Sequence, residues 1–535
     1  MHTPRQGQLA LPGIPPAPPG RLRTAPPVRA DDGPGGAPGP AEASPSRPEA
    51  SSAPRPDLWL ALYFPHLCLD LIHQAGEAVA DPLVIIQEKG RQQWVHAANR
   101  RARQRGICPL MPLAAALPLC RELITLPRHL SAEQQALDAL AGWGLQFTDH
   151  VHQPPGEPLI LLEIGRSLRL FGGVEALRGR VLEALGPLGF QVRAGIAPCP
   201  SASRLLAQWA PGTTVTDGDA LLRLLREAPL ETLEDDPKRQ ERLRGLGLRT
   251  LGDLLRLPRE GLARRLGPEL LRELDRLCGR VPDPLPRFNP PARFEHTRHL
   301  PFEVDRHAQL LLALESLLWM LAGWLRGRGL GVSRLRVALH HHRRVSTPLR
   351  VGLLSPSRDA EHLLEVCREV LERTVLEATV TALTVSAQDL SPLAHHQGQT
   401  LFTTGSEQRA DLQQLLERLR ARLGEDAVKG LACVADHRPE RAWCFMKMGI
   451  GEGDPGSQVR PSTGVRPVWL LDPPMASPCP VTPVETDERI ESGWWDDGDV
   501  RRDYVRASTP AGQGLWLYRD LRNPDGGWYL QGLFG

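Results

Sequence analysis

The run "LWLALYFPHLCLDLI", residues 58–72, limits the fold more than any other stretch of the chain. Its apolar residues follow one another instead of alternating with polar ones, so it reads as a buried strand that enters a turn at Pro65. The same texture returns in "PLVIIQ" (residues 82–87) and "PLILLEI" (residues 158–164). Helical stretches such as "ANRRARQRG" and "SAEQQALDALAGWGLQF" lie between these runs. That alternation predicts a mixed α/β domain reaching to about residue 225.

The chain has 535 residues, too many for one compact core, and three or four domains are expected. A net charge of +2 leaves nucleic-acid binding to be decided by how the charge is distributed. The nine cysteines form no C-x-x-C pair, which fits a reducing cytosol and argues against a disulfide framework or zinc ribbon. No secretory pattern opens the chain, and the most apolar segment, residues 310–325, is interrupted by Glu315 and too short for a membrane span. Residues 1–57 are rich in Pro, Gly, Ala and Ser and are expected to be disordered.

Beyond the first domain, "ERLRGLGLRTLGDLL" has helical periodicity broken by Gly-Leu-Gly. It fits a helix-hairpin-helix, whose amides at Gly245 and Gly247, with Arg249 and Thr250 beside them, approach a DNA phosphate. An ordinary helical bundle with a glycine cap fits the same stretch. Residues 291–395 read as a second α/β unit. Between Arg326 and Arg350 it carries seven arginines, three histidines and no carboxylate. Strand alternation puts part of this set on one face, and Arg334, Arg336, Arg343 and Arg344 are the candidate phosphate contacts. The alternative is a solvated basic edge that discourages strand pairing. A metal site at His340–His342 is disfavoured because successive strand residues face opposite ways. A helix near 406–422 precedes a linker-like stretch, and the last fifty residues read as a small β-rich module.

Five segments in order carry a family resemblance. They are "NRRARQRGICPLMPL", "EIGRSLRLFGG", "GIAPCPSASRLLA", "GLGLRTLGDLL" and the terminal "RIESGWWDDGDVRRDY". Together they resemble the Y-family (translesion) DNA polymerases and, within them, the ImuB branch. The resemblance implies an α/β (α+β) right-hand architecture. Residues 58–225 would be palm and fingers, 226–290 a helix-hairpin-helix thumb and 291–395 a little-finger domain. A clamp-binding peptide at 396–405, a helical extension at 406–445, a linker at 446–485 and a partner-binding module at 486–535 would complete it.

Active members of that family hold two metal ions between carboxylates, which hard Mg²⁺ requires. The resemblance aligns the first motif's two aspartates with Leu62 and Phe64. The Asp-Glu pair of the second motif aligns with Pro158 and Leu159, and a lysine near the triphosphate aligns with Pro200. The fingers arginine survives as Arg103. The palm is therefore expected to be catalytically dead, without metal or cofactor, with Asp70, Glu157 and Glu163 as the acids that could stand in. An active low-fidelity polymerase with displaced ligands is the alternative.

The ImuB resemblance implies a bacterial, cytoplasmic scaffold of a damage-induced (SOS) mutasome that binds template-primer DNA. Its implied partners are the replication sliding clamp, an error-prone C-family polymerase and a RecA-like ImuA protein. The clamp peptide is assigned to Gln397, Gln399, Leu401 and Phe402, with "QLALP" at residues 8–12 as the alternative. In the tail, Trp494, Trp495, Asp499, Arg501, Arg502 and Tyr504 are the candidate partner contacts, against the plainer reading that the aromatics form the module's own core.

Overall fold

A computed structural model describes residues 57–74, 81–233, 237–393, 406–424, 426–446, 466–477, 485–509, 512–523 and 525–534. The Pro/Gly-rich N-terminal segment lies outside them. The strand expected at the opening apolar run is Trp59–Tyr63, and it is central in its sheet. It pairs antiparallel with Leu159–Glu163 on one side and Arg193–Ala197 on the other, so that Leu62 stands opposite Ile160 and Ala194. One face carries Leu58, Leu60, Leu62 and Phe64 into a core built with Leu137 and Leu140 of helix Leu130–Gly144 and Val181 of helix Val174–Leu185. The opposite face buries Trp59 and Ala61 with Leu159, Leu161 and Ala207 of helix Pro200–Trp209. Cover on both faces is the physical reason for the unbroken apolar run. The second cover is tight: a Cβ on Gly195 would overlap the Ala207 amide nitrogen, so only glycine fits there.

A smaller sheet joins Leu83–Lys89 to Gln92–Ala98 and, in parallel, to Ile124–Pro127. Asn99 ties this sheet to the next helix, Arg100–Gln104, because its Oδ1 accepts from both Leu83 N and Ala102 N. Short helices from Gly218–Leu225 to Pro268–Leu277 then gather around a leucine cluster that includes Leu225, Leu243, Leu254 and Leu274.

The second α/β unit is an antiparallel sheet in the order Arg344–Ser357, Leu330–His341, Val380–Pro392, Glu295–Val304. Helices His307–Arg328 and Ala360–Arg373 cover one face of it. Expected from sequence as a separate domain, this unit shares one continuous apolar core with the first. Helix His307–Arg328 lies against Leu130–Gly144, where Trp324 meets Gly142 and Trp143 meets Gly323. Among the described residues it is the one helix long and apolar enough to cross a membrane, and its apolar stretch is instead largely buried in this core.

The C-terminal module is a five-stranded antiparallel sheet in the order Trp469–Ala476, Trp528–Leu533, Gly514–Asp520, Val500–Ser508, Glu485–Ser492. Two sequence boundaries need correction. Residues 469–476, expected in a linker, pair with Trp528–Leu533 as an edge strand. The expected helical extension ends at Leu423, after which Gly430–Cys433 and Trp443–Met446 form a two-stranded ladder.

Candidate functional site

At the end of the first strand Leu62 is 1% exposed and Phe64 is fully buried, its ring edge-on to Phe190. The Phe64 N–H donates to the Pro158 carbonyl at 2.8 Å, so the two segments that would supply carboxylates do meet. They meet as packing. Leu159 is buried on the opposite face from Leu62, and Pro200 is buried in the first turn of its helix, where a missing N–H costs nothing.

The acidic residues nearby are occupied elsewhere. Glu163 pairs with Trp59 while Leu159 pairs with Tyr63, which puts that acid about 13 Å along the strand from the expected site. Its Oε1 accepts from Gly165 N at 2.9 Å. Asp70 accepts from Gln191 N at 3.0 Å, and burial raises its carboxyl to about 7. Glu157 forms an ion pair with Arg204 at 3.1 Å. Arg103 donates from Nε to the Ala98 carbonyl at 2.8 Å, and His66 is held below its ordinary range first by burial, then by Arg103 and Arg193. Among the described residues one trio of ligand-type side chains, Cys68, His96 and Glu133, gathers its atoms within 4.8 Å. It is poorly prepared for a cation, since burial pushes the Cys68 thiol up to about 12 and both Glu133 oxygens already bond Arg128.

The basic residues divide in two. Arg334, Arg336 and Arg350 lie on the uncovered face of the second sheet, Arg336 directly opposite Arg350. They line an open groove of about 880 Å³ with Gln388 and Arg420. An adjoining groove of about 840 Å³ adds Arg293, His340 and Thr384. Arg334 reaches Asp389 at 3.1 Å, the carboxylate lying within the groove wall. Arg343 and Arg344, expected on this face, lie elsewhere. Arg343 occupies the tight turn between strands with φ of +56°, and Arg344 pairs with His341 on the other side of the sheet and donates to the Glu377 carbonyl. Arg350, absent from the sequence candidates, takes their place. A plain turn at 342–343 would put Leu349 opposite Arg336, and the one-residue register shift between Arg344 and Thr347 is what brings Arg350 there, a feature the sequence does not announce. His340 bonds Ser346 and Thr384 while His341 bonds Thr347 and Thr379, each on its own face, as strand alternation requires.

The glycine hairpin forms, but its amides are already used. Gly247 adopts φ of +79° and donates to Arg244, while Leu246 and Leu248 donate to Leu243. The Arg249 and Thr250 amides both donate to the Asp253 carboxylate, and the Thr250 hydroxyl accepts from Asp253 N to complete a capping box. Those two amides hold the Asp253 carboxyl below its usual range. The expected phosphate contact through free backbone amides near Gly245 and Gly247 is therefore corrected, and exposed Arg249 remains as the side chain available there.

The tail residues also separate. Tyr504 is fully buried, stacked on Trp516 at 4.2 Å with its hydroxyl donating to Gln531, so it is core and not a partner contact. Arg502 is spent on Glu440 at 3.0 Å and lies over the Tyr518 ring. Asp499 is half-buried beside exposed Arg501. Trp494 and Trp495, 78% and 58% exposed, stand on a turn that Arg438 pins through Asp496 and the Gly498 carbonyl. The assigned clamp peptide, Gln397, Gln399, Leu401 and Phe402, lies outside the described residues, as does its alternative at 8–12.

Comparison with known proteins follows the same division of the chain. The impB/mucB/samB family model matches residues 73–208, and its C-terminal domain model matches residues 294–400. Protein ImuB of Caulobacter vibrioides is 27% identical over 464 residues, covering 80% of this chain and all of that protein. The chain is an ImuB-like relative of the Y-family polymerases. The similarity extends to DNA polymerase IV of Legionella pneumophila, 28% identical over 39% of this chain and 63% of the other. Among solved structures, DinB from Sulfolobus solfataricus and the insertion ternary complex of Dbh DNA polymerase each align over 62% of this chain and 98% of theirs, at a TM-score of 0.37 and 17% and 18% identity. The mixed helices and sheets of this ImuB-like chain, with a β-rich C-terminal module, agree with the fold class its sequence implied.

Proposed function

We propose that the chain is a non-catalytic, DNA-binding scaffold of damage-induced translesion synthesis. The observation that carries this reading is the apolar packing of Leu62, Phe64 and Leu159 at the ends of the central strands. Two divalent ions need carboxylate oxygens there, and hydrocarbon offers none. Asp70 is a poor substitute, since a carboxyl raised to about 7 by burial is partly protonated at neutral pH and already accepts a backbone bond.

In this reading the face bearing Arg334, Arg336 and Arg350 tracks the phosphate backbone of template-primer DNA. The segment containing Leu401 and Phe402 docks on the sliding clamp, and the tail holds an error-prone C-family polymerase and a RecA-like ImuA partner. The Trp494/Trp495 pair suits such a contact, being apolar, exposed and held rigidly. The setting is the bacterial cytoplasm at the nucleoid.

Primer extension by the full-length protein with Mg²⁺ or Mn²⁺ tests the central claim. No extension above a heat-denatured control is expected. Robust extension abolished by Asp70→Ala or Glu163→Ala would establish the alternative, an active low-fidelity polymerase, which the similarity to DNA polymerase IV favours. Pull-down on the sliding clamp should fail for the Leu401→Ala/Phe402→Ala double variant. Loss of C-family polymerase capture by Trp494→Ala/Trp495→Ala, with clamp binding intact, is the expected result for the tail.

A further inference from the structure

A cavity of about 220 Å³ shares no lining residue with the arginine grooves and includes none of Leu62, Phe64, Pro158 and Leu159. Helix Leu67–His73, strands Leu83–Lys89 and Ile124–Pro127, the first turn of helix Leu130–Gly144 and strand Glu295–Val304 enclose it. One wall is apolar, with Leu71, Ile72, Ile85 and Leu126. The other wall is cationic and polar, with Arg298, Arg128, His129, His296 and His299.

Arg298 is the unusual member. It is 2% exposed, and one guanidinium nitrogen donates to Gln74 Oε1. Its Nε and Nη2 have no acceptor. Burial pulls this guanidinium down only to about 10, so it stays charged at neutral pH. A buried charge with unfilled donors is costly unless an anion completes it. Glu133, the carboxylate among the cavity's lining residues, does not complete it, because its two oxygens bond Arg128 at 2.8 and 2.7 Å.

Two further features favour negative charge here. His129 and His299 are exposed and their rings stack 6.4 Å apart, which places two more imidazole donors at the cavity. Helix Leu130–Gly144 also begins here, with His129, Ala132 and Glu133 among the lining residues and no side chain capping its start. First-turn amides and the positive end of the helix dipole attract anions.

We propose that this cavity is a binding site for a small oxoanion, a phosphate or carboxylate group, with Arg298 as its principal ligand. The volume falls below the roughly 300–1,000 Å³ of pockets for drug-sized molecules, which suits free phosphate, pyrophosphate or a small organic acid. Because strand Glu295–Val304 belongs to the second unit and the other walls to the first, the anion would strengthen the junction between them. This inference is independent of the scaffold reading.

Titration calorimetry and thermal unfolding of the full-length protein test it, using inorganic phosphate, pyrophosphate, acetate and dATP against sodium chloride of equal ionic strength. Saturable heat for phosphate or pyrophosphate is expected, with a rise in Tm that chloride does not give. At a ligand concentration of about 100 Kd the folding equilibrium should shift about a hundredfold. Binding by dATP, or by acetate, at the same site would identify a nucleotide or a carboxylate as the source of the group. Arg298→Met should abolish the heat for each active anion while leaving the anion-free protein at least as stable, since an unpaired buried charge is gone. His299→Ala, at an exposed position, should weaken binding about tenfold without touching the core. Heat unchanged in Arg298→Met, or no heat with any of the four anions, overturns the proposal.

Discussion

The sheet around Trp59–Tyr63 and the sheet around Leu330–His341 apply the same strand alternation to opposite ends. In the first, helices cover both faces, so the positions along Trp59–Tyr63 became packing, Leu62 among them and Phe64 just beyond. In the second, helices cover one face, and the other is left open with Arg334, Arg336 and Arg350 in register. A strand with two covered faces can hold charge only if it is paired internally, whereas a strand with one free face can present it to a ligand. Burial thus separates a region suited to packing from one suited to binding phosphate.

The largest effect should come from trying to undo that difference. Leu62→Asp would put an unpaired carboxylate into the core, at a cost of about 3–5 kcal/mol, and adding Phe64→Asp should leave little native protein. Urea denaturation measures this. A double variant with wild-type stability and new primer extension would break the comparison, because the site would then be an open one.

Within the second region, Glu417 accepts from the Leu354 and Ser355 amides and holds His362 at 2.5 Å, fastening helix Ser406–Leu423 to helix Ala360–Arg373. Glu417→Ala should cost about 3 kcal/mol, because a buried pair is broken from one side. The hydrogen bond that His362 donates to the Glu417 carboxylate raises the imidazole above its ordinary 6.5. Its stabilisation is therefore full below pH 6.5 and is lost as pH rises through the elevated value. Tm measured from pH 6 to 9 should fall across that window in the wild type and be flatter in Glu417→Gln.

Neutralising Arg334, Arg336 and Arg350 together should weaken DNA binding and reduce the salt slope by about 0.9 for each phosphate that the protein no longer neutralises. Arg343→Ala/Arg344→Ala should do less, since neither residue lies in the Arg336 row. Equal slopes for the two variants would mean that the open face is only a solvated one. The smallest effect is expected at the hairpin. Asp253→Ala frees the Arg249 and Thr250 amides, so a slight loss of stability should accompany slightly tighter DNA binding. Unchanged affinity would show that the hairpin does not meet phosphate.

Continuous apolar runs and the glycine turn made the strands, the hairpin and the apolar end of the first strand legible in the sequence. Local rules act over a few residues, and Pro65, Gly247 and the Leu62/Phe64 pair are local features. Less legible were the residues whose roles depend on partners far along the chain. Tyr504 looked like a surface contact because nothing nearby reveals that Trp516 stacks on it and Gln531 accepts its hydroxyl. Asp253 differs: its occupation of the Arg249 and Thr250 amides has a local signal, the Thr250-x-x-Asp253 spacing of a capping box.

What the sequence by itself determined is the kind of element through the two α/β units and the apolar character of the first strand, since both follow from side-chain identity and period. Tertiary structure alone decided which arginines share a face, which tail aromatics are core, and that helix His307–Arg328 joins two units into one core. It also left Arg298 buried beside a cavity without filling its donors. Register, burial and desolvation are set by segments brought together across hundreds of residues, and these decide whether a charged side chain is spent inside the fold or left for a ligand.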